Sequence, residues 1–267
     1  MAKTKRMTTV TAGRLVYGVC YTAALPRDEG QVRAAKLNAS SAARQKLNLK
    51  MSWQKLEVVI AANFSYRDLF ITLTYDDDHL PASKSAAVKL LKRFLTLLRN
   101  DRKKRDESLK YVYVTESKHG DARLHHHLVI NSTGADYELI RSLWEYGDNI
   151  QFEPLSAYGY TELAKYLTKE PREFGSPNGD RTWVPSRGLA HPVSESQWVD
   201  ENLDLVVPAG AIAIETEQPK FNVYGSYTYI KYLLPEPAQQ KSRPKCKKMK
   251  KDAFLSDLGH CISSEKD

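Results

Sequence analysis

The sequence predicts an α+β fold around one antiparallel sheet, on the basis of three observations. Segments rich in β-branched and aromatic residues alternate with segments of helical apolar spacing, in the order β-α-β-β-α-β. Only a short polar loop separates the second strand from the third, so the two should form an antiparallel hairpin. With 42% hydrophobic and 10% aromatic residues, the 267-residue chain can bury a sizeable core. This order is the ferredoxin-like arrangement, with helices on one face of the sheet and the other face open.

Each element has its own signal in the sequence. Residues 30–62 carry apolar side chains at helical spacing among basic ones, which predicts a basic helical segment before the sheet. The first strand, 69–75, is β-branched and aromatic and stops at the acidic turn cluster 76–78. Residues 84–99 place leucines on one face and basic residues elsewhere, which is typical of an amphipathic helix. By the same criteria we predict strands at 111–116, 123–130 and 149–152, and helices at 136–146 and 161–169.

The last third of the chain is less regular. Residues 171–210 are rich in Pro, Gly, Ser and Asn, which predicts loops. Residues 221–234 contain five aromatic residues and are predicted to form a late strand of the same body. Their rings could stack on nucleic-acid bases, but packing in a core or at a sheet edge is the preferred interpretation.

The positive charge is concentrated at the two ends of the chain. The first 50 residues hold ten Lys or Arg against two acidic residues, and residues 241–267 hold eight against four. Because the net charge is +8, the middle of the chain is mildly acidic. Basic ends around an acidic core favour a polyanionic partner, most simply nucleic acid, and Lys247 and Lys248 are predicted to contact DNA. The alternative is that the basic ends only add solubility.

Several classes of protein are disfavoured. No stretch approaches the ~20 apolar residues of a membrane span, and the first residues lack the apolar core of a signal peptide. Cys20, Cys246 and Cys261 are odd in number and match no zinc spacing, so disulfides and a cysteine zinc site are not expected. We therefore expect a cytoplasmic protein.

The histidine run at 125–127 is the strongest candidate for chemistry. Because side chains alternate between the faces of a strand, His125 and His127 should share one face with Val129. His126 should point with Leu128 toward the other face. Two imidazoles side by side suit a divalent metal ion. The alternative is a solvated histidine tract, but hydrophobic alternation continues on both sides of the run and favours the metal site.

A divalent ion of the Mg²⁺ or Mn²⁺ type also needs oxygen ligands. Glu116 is the predicted third ligand, because it ends the strand that pairs with the histidine strand. Taken alone, Glu116 could equally be a solvated acid at a strand end. The acidic residues at 76–78 are competitors, but their clustering suits a turn.

Tyr166 and Lys169 lie three residues apart in the helix predicted at 161–169, so they share one face. This pairing suggests a tyrosine nucleophile with a cation beside it. A phenol is only ~0.1% ionised at neutral pH, so attack on a phosphodiester requires a nearby metal, base or positive charge. From the helix alone, packing of Tyr166 in a buried stripe with Leu163 and Leu167 is the favoured alternative.

Three segments, taken together, match a known family in order and spacing. They are FITLTYDD at 70–77, RLHHH at 123–127 and AKYLTK at 164–169. The chain resembles the HUH-superfamily rolling-circle replication initiators, in particular the replication-associated proteins of small phages, prophages and plasmids. The resemblance covers roughly residues 30–192, and the ordered triple is far more specific than any one motif. It implies a fold of the HUH endonuclease type.

The resemblance implies a metal-dependent DNA nickase and strand transferase. In that family two histidines and an acidic or polar residue bind Mg²⁺ or Mn²⁺, and a tyrosine attacks a phosphodiester of single-stranded or extruded origin DNA. The tyrosine becomes joined to the 5′ phosphate and leaves a free 3′ hydroxyl for a polymerase. Carried over by position, His125, His127 and Glu116 are metal ligands, Tyr166 is the nucleophile, Lys169 is its auxiliary, and Thr72, Thr74 and Lys165 are assigned to DNA binding.

Two residues depart from the family pattern. His126 occupies a place that is normally a bulky hydrophobe, and we expect it to face the core as a neutral imidazole. Glu170 stands where some phage relatives have a second tyrosine, which favours a single-tyrosine initiator. Tyr160 has the wrong spacing to replace that second tyrosine. Relaxases and transposases with the same chemistry are the enzymatic alternative, and a non-catalytic regulator that binds single-stranded DNA is the alternative from another class.

The resemblance also implies a domain organisation and partners. We expect a basic helical N-terminal extension at 1–62, an HUH endonuclease domain at 63–235 and a flexible basic tail at 236–267. The sequence contains no Gly-x-x-x-x-Gly-Lys-Ser/Thr loop, so unwinding is expected to come from a host helicase. The other expected partners are single-stranded origin DNA and a host DNA polymerase, in the cytoplasm of a prokaryotic cell.

Overall fold

A computed structural model describes residues 5–22, 42–117, 123–170, 181–203, 205–222 and 225–236 of the chain. The chain divides into two compact units, Met1–Pro235 and Glu236–Asp267, and only Glu236 of the second is described. The helices are α1 (Ala42–Asn63), α2 (Lys84–Lys104), α3 (Asp136–Leu143) and α4 (Thr161–Leu167). The strands are β1 (Lys5–Ala12), β2 (Leu15–Thr22), β3 (Leu69–Thr74), β4 (Tyr111–Glu116), β5 (His125–Ile130), β6 (Ile150–Pro154), β7 (Val184–Pro185), β8 (Val193–Val199), β9 (Ile212–Asn222) and β10 (Gly225–Leu233). None of the described helices is both long and apolar enough to cross a membrane.

The predicted sheet is present, and the α+β fold class is confirmed. Its strand order is β6-β3-β5-β4-β7, and every neighbouring pair is antiparallel. Helix α2 connects β3 to β4 and helix α3 connects β5 to β6, as in a ferredoxin-like arrangement. Strand β5, which carries the three histidines, lies at the centre of this sheet. Its backbone is therefore paired on both sides and holds the histidines in a defined register.

The two faces of this sheet differ from the prediction in one respect. Helices α2 and α3 cover the face of Leu128 and Ile130, as expected. The other face, which we expected to be open, is covered by α1 and α4 at Val112, Val114 and Val129. The three valines are almost completely buried, because an exposed apolar sheet face of this size would be unfavourable in water. This face is therefore uncovered only toward its histidine end.

A second five-stranded antiparallel sheet, with the order β8-β1-β2-β10-β9, was not predicted. Residues 5–22 form its hairpin β1–β2, residues 193–199 form β8 where loops were expected, and residues 225–233 form β10 of this sheet. The strand signals were weak because β1 is rich in threonine and β8 is exposed along most of its length. Helical residues are confirmed at 42–62, whereas residues 23–41 lie outside the described part of the chain.

A buried ion pair connects α1, the second sheet and the start of α4. Lys231 Nζ of β10 lies 2.6 Å from Glu57 Oε1 of α1, and both side chains are at most 1% exposed. The Thr161 hydroxyl donates to Glu57 Oε1 at 2.7 Å, and the Tyr17 hydroxyl donates to Glu57 Oε2. Burial and the Glu57 carboxylate raise the pKa of Tyr17 far above its ordinary value, so its hydroxyl remains a donor. The pair therefore fixes the N-terminal end of α4 against α1 and β10.

We expect Lys231→Met to lower the free energy of unfolding by about 3–5 kcal/mol, because it leaves the Glu57 carboxylate buried without its counter-charge. Urea denaturation followed by circular dichroism measures this change. The double variant Glu57→Gln/Lys231→Met should recover part of the loss, since neither charge then remains. The matched control is Lys220→Met, because Lys220 is 65% exposed and pairs with Glu217 at the surface. Equal losses for Lys231→Met and Lys220→Met would contradict a structural role for the buried pair.

Candidate functional site

The register of the central sheet brings Glu116, His125 and His127 together. Glu116 of β4 pairs directly with His125 of β5, so their side chains project from the same face at the same edge. His125 Nε2 lies 3.3 Å from Glu116 Oε2, and His127 Nε2 lies 3.7 Å from the same oxygen. The two Nε2 atoms are 3.2 Å apart. The three ligand atoms all lie within 4.8 Å of one another.

The Glu116 carboxylate is held ionised although it is fully buried. Burial raises the pKa of this carboxyl, but the imidazoles of His125 and His127 and the charge of Lys169 lower it more, so the net pKa is well below its ordinary value. Neither of its oxygens has a hydrogen-bond partner among the described residues. A buried carboxylate without hydrogen bonds is costly unless a cation compensates it.

The histidines are oriented by their outer ring nitrogens. His125 Nδ1 lies 2.7 Å from the Arg123 carbonyl oxygen, which only accepts, so Nδ1 carries the proton and Nε2 of a neutral ring is free to bind a metal. His127 Nδ1 lies 3.1 Å from the Thr72 hydroxyl. Burial lowers the pKa of His127 more than the Glu116 carboxylate raises it, which favours a neutral ring. Two directed imidazole nitrogens and an ionised carboxylate form a donor set that fits a divalent cation.

His126 points to the opposite face of the sheet, as predicted, and is fully buried. The Tyr75 hydroxyl lies 2.7 Å from its Nε2, and the Thr115 hydroxyl lies 2.9 Å from its Nδ1. Burial lowers the pKa of His126 to about 3, so the ring is neutral. His126 is therefore a satisfied core residue, and it anchors β5 while its two neighbours face the site.

Tyr166 lies beside the two histidines and the carboxylate. Its neighbours Ala164 and Leu167 are buried against α1 and the sheet, whereas Tyr166 is 41% exposed. Its hydroxyl is 3.3 Å from His127 Nε2, and its ring packs edge-on against Phe70 and His127. Tyr166 thus stands at the edge of the buried stripe, with its hydroxyl directed at the site.

Lys169 connects the tyrosine and the carboxylate. Its Nζ lies 3.2 Å from Glu116 Oε2 and 3.9 Å from the centre of the Tyr166 ring. Burial lowers the pKa of Lys169, but the Glu116 carboxylate raises it more, so the amine remains protonated. The cation is placed where negative charge on the Tyr166 oxygen would develop.

The residues assigned to DNA binding are placed differently from one another. Thr72 is buried and supports His127, which is an architectural position, and Thr74 donates to the Asn149 carbonyl at 2.7 Å. Lys165 is half-exposed and pairs with Glu162. Their DNA contacts stay predictions. Lys247 and Lys248 lie outside the described residues.

Competing candidates do not reach the site. Asp76 accepts hydrogen bonds from the backbone and ring of His79, in keeping with a turn. Tyr160 donates its hydroxyl to the Phe64 carbonyl at 3.2 Å, and burial raises its pKa to about 12. Sequence reasoning missed two supporting residues. Phe70 stacks on His127, and Glu170 accepts from the Ser117 backbone N–H at 2.7 Å. Phe70 lies in the first motif, which was a signal that it belongs near the site.

Comparison with known proteins gives one match. The family model of replication-associated protein ORF2/gene 2 protein matches residues 68–171. This segment is less than half of the chain, but it contains β3 to β6, α4 and every residue of the candidate site. No curated protein and no solved structure gives a significant match. Over residues 68–171 the chain is therefore similar to this family of replication-associated proteins, and the similarity supports a replication initiator.

Proposed function

We propose that the chain initiates rolling-circle replication by nicking single-stranded origin DNA through a covalent 5′-phosphotyrosine. The observation that carries this proposal is the position of the Tyr166 hydroxyl, 3.3 Å from His127 Nε2 and beside a donor set that fits a divalent cation. A nucleophile, a metal site and a lysine ammonium occur here on three separate elements. No structural role explains their meeting at a partly exposed edge of the sheet.

The reaction follows from the roles of these side chains. The Tyr166 oxygen attacks the phosphorus and loses its proton, the bond to the 3′ oxygen breaks, and that oxygen gains a proton to become a free hydroxyl. Lys169 offsets the negative charge that develops on the phenol oxygen. Glu116, His125 and His127 would hold Mg²⁺ or Mn²⁺. When bound, such an ion polarises a phosphoryl oxygen and stabilises the charge of the transition state.

The products of this step identify the partners. A free 3′ hydroxyl is a primer end, so a host DNA polymerase would extend it. The sequence lacks a nucleotide-binding loop of the helicase type, and we propose that a host helicase separates the strands. A relaxase or transposase would use the same chemistry, but the match to a replication-associated family favours replication.

The proposal is tested by searching for the covalent intermediate. The protein is incubated with Mn²⁺ and single-stranded DNA from the replicon that encodes it, and the products are separated under denaturing conditions. We expect a protein–DNA adduct that is absent when a chelator is present, and mass spectrometry should locate the nucleotide on the peptide that contains Tyr166. No adduct from protein that binds this DNA would favour a non-catalytic regulator.

A further inference from the structure

A groove of about 550 Å³ runs along the edge of the central sheet, between α2 and the segment that contains β7. One wall is a face of α2 that carries Lys84, Lys89 and Lys92, and the other wall includes Arg181 and Trp183. The residues that line the groove include no Asp or Glu. The three lysines and Arg181 are exposed at its rim. The groove is therefore a concave surface with a purely positive rim.

The positive charge of the groove is not used inside the fold. Lys89 and Lys92 form no ion pair within the residues that the structure describes. They recur at helical spacing with Lys84, so their charges follow one line along α2. Three like charges along one helix face repel one another and destabilise the helix slightly, and a bound polyanion removes this cost.

One end of the groove reaches the candidate site. Thr115 lines the groove and directly precedes the metal-ligand candidate Glu116. Lys84 Nζ lies 3.4 Å from Glu170 Oε1, and Glu170 directly follows Lys169. The other Glu170 oxygen accepts from the backbone N–H of Ser117. A chain that lies in the groove would therefore arrive at the Glu116 end of the site.

We propose that this groove binds the sugar–phosphate backbone of the single strand next to the phosphodiester that Tyr166 attacks, an inference that rests on the proposed function. From Lys84 to Lys92 the helix rises about 12 Å, at about 1.5 Å per residue. This length accommodates roughly three phosphates at the ~3.4 Å spacing of a stacked strand. Lys89, Lys92 and Arg181 contact phosphates, and Trp183 provides an apolar wall for sugars and bases.

The first test compares two pairs of substitutions on the same helix. Lys89→Gln/Lys92→Gln removes two charges from the groove, whereas Lys103→Gln/Lys104→Gln removes two exposed charges from the last turn of α2. Binding of a fluorescent single-stranded oligonucleotide is measured with chelator present, over a range of salt concentrations. Each lost phosphate contact should reduce the slope of log K against log salt by about 0.7.

We expect the groove pair to reduce this slope by about 1.4 and to weaken binding roughly tenfold at low salt, and the control pair to have much smaller effects. Equal effects of the two pairs would overturn the inference, because net charge alone would then account for the loss. Because binding is measured without metal, the result is independent of cleavage. An adduct at Tyr166 combined with unchanged binding by the groove pair would reject the groove and leave the proposed function standing.

The second test uses the unmodified protein, so it does not depend on variants that fold. Lysines are acetylated with and without the single strand, and the extent at each position is measured by mass spectrometry. Lys89 and Lys92 should be protected by DNA, and Lys103 and Lys104 should not be. Protection by polyglutamate but not by DNA would overturn the inference in favour of an acidic protein partner.

Discussion

Tyr166→Phe should abolish the covalent protein–DNA adduct, with a loss of at least about 10³-fold in the rate of cleavage, because phenylalanine has no oxygen to attack phosphorus. The substitution should not disturb the fold. The ring that packs against Phe70 and His127 is retained, and only a partly exposed hydroxyl is removed. Affinity for single-stranded DNA should therefore change by less than about threefold, since phosphate contacts supply most of it. Gel analysis under denaturing conditions measures the adduct, and fluorescence anisotropy measures binding.

The matched control for this prediction is Tyr158→Phe. Tyr158 precedes α4 and is 77% exposed, so it loses the same atom outside the site. We expect adduct formation by this variant at the rate of the unmodified protein. If Tyr166→Phe still forms the adduct, another residue is the nucleophile, and the proposed role of α4 is wrong.

His127→Ala should reduce cleavage by about 10³-fold or more, because metal-ion catalysis contributes several kcal/mol to the stabilisation of the transition state. It removes one of the two imidazoles whose Nε2 atoms lie 3.2 Å apart, and it leaves the other two ligand candidates in place. Binding of Mn²⁺ measured by isothermal titration calorimetry should weaken by at least about tenfold, as is common when a metal site is disturbed. This second measurement does not require an active enzyme.

His191→Ala is the matched control for the metal site, because His191 is exposed and lies outside the group of three ligand candidates. It should leave both Mn²⁺ affinity and cleavage unchanged. Salt-sensitive binding of single-stranded DNA should be similar in the two histidine variants. Cleavage at the normal rate by His127→Ala would refute the metal assignment, whereas loss of Mn²⁺ binding without loss of cleavage would separate the metal from the reaction.

Local pattern was sufficient to predict much of the candidate site. Alternation along a strand assigned His125 and His127 to one face and His126 to the other, and the structure has this arrangement. A short hairpin loop was enough to place Glu116 near His125, because few registers are possible for such a pair. The order of strands and helices from β3 to α4 also follows from local periodicity.

The position of Tyr166 is an intermediate case. The helix that carries it was predicted, but the spacing of apolar residues favoured a buried tyrosine. The structure instead leaves Tyr166 at the edge of the buried face and 3.3 Å from His127. Only the packing of α4 against α1, with Thr161 fixed by the buried Glu57, decides which side of the helix faces the site. The resemblance to replication initiators identified the residue, and tertiary contacts set its place.

The sequence by itself determined the fold class, the two faces of the histidine strand and the pairing of Glu116 with it, because all three depend on neighbours within a few residues or on one short hairpin. The tertiary structure alone decided the second sheet, the covered face beside the site and the cationic groove. Each of these joins segments far apart in the chain, such as β1 with β8 or Lys92 with Arg181. Contacts of this kind depend on how whole elements pack, and they leave no periodic signal in the sequence that forms them.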